Sequence, residues 1–364
     1  MKIADIAGYL ETLAPLSLRE DYDNCGLLAG DPDGEVTSAM VCLDATEAII
    51  GEAIHRGCNL VISHHPLIFK GLKRLTPGQP GVGALLRAVR HGVALYAMHT
   101  NLDNSLEGLN KHVMTRLGAG GCRILKPLAA GLLKLAVFCP HDRAEEVRLA
   151  MFTAGAGRIG NYDACSFNLR GEGTFRAGDA ARPYVGAIGE MHAEPETRIE
   201  VIVPRSLERK VVAAMIRAHP YEEVAYDLYP LQNADPTTGA GVIGNLHREM
   251  ERAEFLQWVR ESLSLQIIRH TGGGPAKISR VALCTGSGAF LVQEAERAGA
   301  DAYLTADLKY HDFTDSPERM LLADIGHFES EIWVKEWLHA RLIEKFPNFA
   351  VLLPESETNP VNYF

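Results

Sequence analysis

The fold of this chain is decided by the stretch Val61-Ile62-Ser63-His64-His65-Pro66. The apolar run that begins at Leu60 predicts a buried strand. Pro66 cannot continue a central strand, because proline has no backbone N–H to donate to a neighbouring strand. The two histidines therefore fall at the carboxyl end of the strand, where open α/β sheets bind their ligands. We expect a functional site at this end of the sheet.

Two further stretches also end in side chains that can bind metal. The run 93–98 predicts a second strand, and it is followed by His99-Thr100-Asn101-Leu102-Asp103. Because His99 and Asp103 leave a strand, we expect their geometry to be only loosely constrained. His327-Phe328-Glu329-Ser330-Glu331 lies near the C-terminus, and at the start of a helix its spacing of four places His327 and Glu331 on one face. We expect the three stretches to converge on one metal centre.

The order of predicted elements indicates an α/β protein with an insertion. Strands at 39–43 and 60–63 flank a helix at 47–56, which Asp44 or Thr46 could cap. Further helices are predicted at 105–117 and, as one long helix, at 328–346. We predict two α/β lobes with mostly parallel sheets, residues 1–128 and 237–364, that together form one core. Between them, residues 129–236 predict a ferredoxin-like domain, because two helices alternate with strands at 134–139, at 162–170 with a partner strand, at 199–203 and at 225–231.

Composition limits the kinds of partner. The chain has 364 residues, is 47% hydrophobic and carries a formal net charge of -10, with no basic stripe, so we expect no direct binding to nucleic acid. No apolar run approaches the roughly 18 residues that span a bilayer, so we expect no membrane partner. The N-terminus has the pattern of an amphipathic helix rather than a signal peptide. The seven cysteines are scattered and odd in number, which favours reduced thiols in the cytoplasm.

The residue types at the three stretches favour two metal ions. Three imidazoles and two carboxylates are generous for one ion but suit two ions that share a carboxylate, as in many hydrolases. The absence of cysteine from these stretches disfavours a structural thiolate zinc site. The ligand chemistry suits two divalent ions of Zn, Fe, Mn or Co without choosing among them. The candidate ligands are His64, His65, Asp103, His327 and Glu331.

Several motifs, in this order along the chain, resemble the dinuclear-metal-centre family whose bacterial members are called GTP cyclohydrolase 1 type 2 homologs. Together they span most of the chain, and their combination is much more specific than any one of them. The motifs are Tyr22-Asp23-Asn24-Cys25-Gly26-Leu27-Leu28, Ser63-His64-His65-Pro66-Leu67-Ile68-Phe69, His99-Thr100-Asn101-Leu102-Asp103, Gly286-Ser287-Gly288 and Gly326-His327-Phe328-Glu329-Ser330-Glu331.

The resemblance implies a metal centre and an assembly. His64, His65, Asp103, His327 and Glu331 match the metal ligands of the family. The implied assembly is a toroidal homohexamer with metal sites that face an internal cavity. The middle segment resembles the long-form insertion, which is similar to the trimeric PII and copper-tolerance signalling fold and caps the ends of the ring. Its marks are residues 155–163, 171–175 and 219–227.

Two main functions follow as hypotheses. The first is a metal-dependent hydrolase that opens the purine imidazole ring of GTP or a similar cyclic amide, a small-molecule substrate. In it, the candidate catalytic residue His99 either carries a proton or orients Asp103 from behind. The second is a non-enzymatic hexamer that senses metal or nucleotide through the PII-like insertion. A third alternative is a scaffold whose metals only stabilise the fold.

Overall fold

The computed structural model describes residues 1–76, 78–79, 81–129 and 131–364. It divides the chain into two compact units. The larger unit combines Met1–Pro127 with Pro236–Phe364, and the smaller unit is Leu128–Asp235. Within the described residues, no helix has the length and apolar character needed to cross a membrane.

The first segment of the larger unit alternates helices and strands. Thr46 caps the second helix, because its Oγ1 accepts a hydrogen bond from the N–H of Ile49 at 3.2 Å. The elements are α1 (Ile3–Leu13), β1 (Gly26–Ala29), β2 (Ser38–Asp44), α2 (Glu47–His55), β3 (Leu60–His65), α3 (Val82–Arg90), β4 (Ala94–Ala97), α4 (Thr100–Asp103), α5 (Leu109–Arg116) and β5 (Ala119–Pro127).

The smaller unit has the element order strand-helix-strand-strand-helix-strand, with one strand fewer between the two helices than the sequence predicts. Its elements are β6 (Leu132–Pro140), α6 (Ala144–Thr153), β7 (Phe167–Arg176), β8 (Met191–Pro204), α7 (Glu208–Ala218) and β9 (Tyr226–Pro230). They form an antiparallel sheet of order β7-β8-β6-β9. The predicted strand limits 162–170 and 199–203 were both wrong. β7 begins and ends later than predicted, and β8 is one long strand that pairs with both β6 and β7. Both helices pack on one face, around a core that includes Val137, Met151, Ile199 and Met215.

The last segment completes the larger unit. Its elements are β10 (Gly239–Glu251), α8 (Arg252–Ser262), β11 (Arg269–His270), β12 (Lys277–Ser287), α9 (Val292–Arg297), β13 (Ala302–Ala306), α10 (Tyr310–Thr314), β14 (Leu321–Asp324), α11 (His327–Glu331), α12 (Val334–Lys345) and β15 (Ala350–Leu352). One buried apolar cluster joins residues from both segments of the unit, for example Ile62 and Tyr96 with Leu283 and Leu338.

Two sheets organise the larger unit, and they confirm the predicted α/β class. The first has the order β1-β4-β3-β2-β15 and is parallel except for β1. The second has the order β11-β14-β13-β12-β10-β5. It is more mixed than predicted, because only the pairs β12–β13 and β13–β14 are parallel. Parallel strands in each sheet bring several carboxyl ends to one edge.

Two predicted helices are each divided in the structure. The predicted helix at 105–117 begins only at Leu109, and the short α4 precedes it. The predicted long helix at 328–346 is α11 followed by α12. α11 buries Glu331, and α12 packs its own apolar residues Val334, Leu338 and Leu342 into the core.

Candidate metal centre

The carboxyl end of β3 presents His64 and His65 in different surroundings. Successive side chains of a strand point to opposite faces, and here His64 is completely buried whereas His65 is partly exposed. The Nδ1 of His64 lies 2.7 Å from the carbonyl oxygen of Met98. The Nδ1 of His65 lies 2.8 Å from Oδ1 of Asp44, its register partner on β2. Both contacts fix the orientation of the rings, and the Nε2 of each ring lies on the side of Glu331.

The second stretch forms a helical turn. Asp103 is the last residue of α4, and its N–H donates to the carbonyl oxygen of His99 at 3.1 Å. The expectation of a loosely constrained geometry was therefore wrong, because the spacing of four residues corresponds to one turn of helix. The Nδ1 of His99 lies 2.9 Å from Oδ1 of the buried Asp23. The hydrogen bond of this ring therefore goes to Asp23, not to Asp103.

The third stretch depends on two glycines. Gly326 precedes α11 with a φ of 82°, a conformation that favours glycine. Gly286, from the Gly-Ser-Gly motif, has a φ of 63°, and a Cβ atom there would collide with the carboxylate of Glu331. Its N–H also donates to Oγ of Ser330 at 3.0 Å. The motif therefore makes room for the glutamate and anchors the helix that carries it.

The other four predicted ligands lie around Glu331. Its Oε2 lies 2.9 Å from Nε2 of His65 and 2.9 Å from Nε2 of His327. Its Oε1 lies 3.9 Å from Nε2 of His64, and that nitrogen lies 3.7 Å from Oδ1 of Asp103. The Nε2 atoms of His65 and His327 are 3.4 Å apart. Glu331 thus stands between two groups of nitrogen and oxygen atoms.

The arrangement fits metal ions. Buried polar atoms nearly always have a hydrogen-bond partner, yet Nε2 of His64 and Oδ1 of Asp103 find none among the residues that the structure describes. Two ligands at zinc-like distances of about 2.1 Å from a tetrahedral ion lie about 3.4 Å apart, which matches the separation of His65 and His327. Two groups could hold a metal ion, His64 with His65 and His99, and His65 with His327 and Glu331. His99 therefore joins the five predicted side chains.

The charges of the cluster depend strongly on one another. Burial by itself lowers the pKa of His65, but hydrogen bonds to Asp44 and Glu331 outweigh it and raise this pKa to about 10. The contact with Glu331 raises the pKa of His327 to about 9. Burial raises the pKa of Asp103. Burial also acts to raise the pKa of Glu331, but the surrounding imidazoles hold this pKa well below its usual value. In the metal-free chain, the carboxylates therefore favour protonated imidazoles at His65 and His327.

Three acidic residues behind the histidines were not predicted as part of the site. Asp23 holds His99, Asp44 holds His65, and Asp307 lies 2.7 Å from Nδ1 of His327. Carboxylates behind metal-binding imidazoles fix the tautomer and raise the basicity of the ligand. A signal for Asp23 and Asp44 existed, since one lies in the loop at 21–28 and the other ends a strand. Asp307 was visible only as a polar residue after a predicted strand.

Comparisons with known proteins agree with these motifs. The family model for Duf34/NIF3 (NGG1p interacting factor 3) matches residues 1–360. The chain belongs to the DUF34/NIF3 family. The resemblance that the motifs carry is therefore confirmed at the level of the family.

The similarity to known proteins extends over almost the full length of this chain. A Bacillus subtilis (strain 168) protein named GTP cyclohydrolase 1 type 2 homolog is 36% identical over 359 residues, 97% of this chain and 96% of the relative. A Mycobacterium tuberculosis protein of the same name is 34% identical over 91% of this chain and 88% of the relative. The crystal structure of a Bacillus cereus protein related to NIF3 has a TM-score of 0.86 and 36% identity, over 100% of this chain and 99% of that chain.

Proposed function

We propose that this protein is a hydrolase that depends on two divalent metal ions. The observation that carries the proposal is the position of Glu331 between two groups of ligand atoms, with His64 and Asp103 on the side of its Oε1 and His65 and His327 beside its Oε2. A carboxylate shared by two ions is the arrangement expected of a dinuclear site. The name of the relatives, GTP cyclohydrolase 1 type 2 homolog, supports GTP or a similar cyclic amide as the substrate class.

The residues of the chain have separable roles in this proposal. Bound divalent ions would lower the pKa of water and stabilise negative charge that develops on the substrate. His64, His65, Asp103, His327 and Glu331 are the proposed ligands. His99 is the proposed proton carrier, because Asp23 fixes its Nδ1 and leaves Nε2 as the free nitrogen. Since the ring centroid of His99 lies 5.3 Å from that of His64, it is close enough to serve the same centre.

A cavity beside the cluster provides space for a substrate. It measures about 510 Å³, which lies within the range of small-molecule sites. His65 and His327 form one side of it, so a molecule in the cavity would lie beside two of the proposed ligands. The C-terminal residues contribute another wall, because Asn359 and Tyr363 both hydrogen-bond Glu329. Arg269, Asp307, Phe328 and Val361 also line the cavity.

The hydrolase proposal is tested with purified protein that is stripped and then loaded with Zn, Fe, Mn or Co. GTP, other nucleotides and cyclic amides are offered, and products are identified by mass spectrometry. The His64→Ala/His65→Ala variant is the negative control, and His91→Ala, at an exposed histidine, is the matched positive control. Turnover no faster than that of the double variant, with every metal and substrate, would reject the proposal. A metal that only stabilises the fold would instead raise the melting temperature without any turnover.

A regulatory protein is the second candidate function. A cavity on the smaller unit favours it, because a unit without the metal ligands then has a place for a small ligand of its own. In this proposal residues 129–236 form an inserted ferredoxin-like domain that senses a ligand. We also propose the homohexamer, whose mass would be six copies of 39.7 kDa, about 240 kDa. Light scattering on the eluting protein would contradict the hexamer if it gave a smaller mass at all concentrations.

A further inference from the structure

We infer that the smaller unit carries a binding site for an organic cation of the polyamine type. The site is a cavity of about 1010 Å³, lined entirely by residues of that unit. Two motifs from the sequence contribute to its lining, Gly171-Glu172-Gly173-Thr174-Phe175 and, from the second motif, Tyr221-Glu222-Glu223, and the metal centre uses neither. They come from different parts of the unit, β7 and the loop before β9, and meet here.

The carboxylate of Glu196 forms the floor of the cavity, beside two glycines of β7. Glu196 on β8 lies opposite Gly171 on β7 and on the same side of the sheet. A Cβ atom at Gly171 would meet nothing, and a Cβ atom at Gly173 would collide with the carboxylate of Glu196. The two glycines therefore leave Glu196 open to the cavity. The hydroxyl of Tyr221 donates to Oε1 of Glu196 at 2.9 Å and holds it in place.

Aromatic rings form the wall above this carboxylate. The ring centroid of Tyr221 lies 6.1 Å from that of Tyr184 and 6.4 Å from that of Phe175. His219 positions Tyr221, because its Nδ1 accepts the N–H of Tyr221 at 3.1 Å while its Nε2 donates to the carbonyl oxygen of Phe138 at 2.8 Å. Burial lowers the pKa of His219, which agrees with this neutral form. Ring faces beside a carboxylate are the surroundings that organic cations prefer.

The charges that face the cavity favour a cation over an anion such as a nucleotide. Glu196 forms no ion pair within the described part of the chain, and Glu222 and Glu223 stand at the rim. Arg198 lies on this side of the sheet and lines the cavity, and its Nε lies 2.9 Å from Oε1 of Glu200. Arg170, Glu172 and Arg176 also line the cavity, but they alternate with Gly171, Gly173 and Phe175 along β7, so their side chains point to the other face of the strand. Several carboxylates along one cavity suit a ligand with more than one ammonium group.

The test is calorimetric titration of the full chain with spermidine and with ATP and GTP as anionic competitors. We expect spermidine to bind and the nucleotides not to displace it. Glu196→Gln keeps the shape of the side chain but removes its charge, so it should weaken binding about tenfold or more. Tyr221→Phe should also weaken it. Tyr229→Phe is the matched control, because its hydroxyl also contacts a carboxylate, that of Asp227, but does not line the cavity.

A second arm separates this site from the metal centre. The His64→Ala/His65→Ala variant, which loses the proposed metal ligands, should bind spermidine as well as the unaltered chain. Loss of binding in that variant would place the ligand at the metal centre and overturn the inference. The inference also fails if spermidine does not bind, if the nucleotides displace it, or if Glu196→Gln and Tyr229→Phe bind equally well. Melting temperatures of the variants confirm that each one is folded.

Discussion

Metal binding should release protons from the histidines of the candidate centre. The pKa values of His65 and His327 are raised to about 10 and about 9, so both rings are almost fully protonated at neutral pH without metal. A metal ion needs the neutral ring nitrogen, so the ion must displace these protons. At about pH 7.5 we expect about two protons to leave these two rings, whereas two ordinary histidines would release only ~0.2.

The sign of the pH dependence follows from the same values. A raised histidine pKa favours the protonated ring, so acid competes with the metal and affinity should rise with pH. If one ion takes both rings, its apparent association constant should rise about 100-fold per pH unit from about pH 7 to pH 8.5. Above the pKa of His327 and then of His65, the dependence should become flat.

Calorimetry measures the number of protons directly. Stripped protein is titrated with Mn²⁺ at about pH 7.5 in three buffers of different ionisation enthalpy, and the slope of observed enthalpy against buffer enthalpy is the proton count. Glu331→Gln serves as an internal comparison, because it removes the carboxylate that raises both pKa values, and it should release fewer protons. A slope near zero for the unaltered protein would refute the reasoning, since it would mean that the two rings are already neutral.

Three further predictions test how the site is built. Glu331→Gln should reduce the content of both ions and Asp103→Asn that of one, as counted by native mass spectrometry; equal loss in both variants would contradict a bridging Glu331. Asp307→Asn should weaken metal affinity about 10–100-fold, whereas Thr46→Ala, a lost helix cap, should cost about 1 kcal/mol of unfolding free energy and leave metal affinity unchanged. Gly286→Ala should abolish metal binding, because its methyl group would displace Glu331; normal metal content would show that the loop yields instead.

The predicted ligands came from patterns that are local in the chain. His64 and His65 follow an apolar run and precede a proline, and both features act within a few residues. The i, i+4 spacing of His327 and Glu331 is a property of one helical turn, so it was visible without the fold. The same local reasoning predicted the alternation of strands and helices.

Local sequence patterns did not predict where helices begin and end near the site. The predicted helix at 328–346 is divided between α11, which buries Glu331, and α12, which buries Leu338, and no pattern in the sequence marked the break. The helical turn from His99 to Asp103 also depends on a distant residue. Asp23, which is 76 residues before His99 in the sequence, accepts hydrogen bonds from the side chain of His99 and from the N–H of Thr100.

By itself, the sequence determined the chemistry of this protein: which imidazoles and carboxylates are available, and at which ends of strands and helices they occur. Only the tertiary structure decided that Asp23, Asp44 and Asp307 stand behind those imidazoles, and that Gly286 leaves space for Glu331. The physical reason is that ligand identity is a property of single residues, whereas hydrogen bonds between segments depend on how the sheets pack.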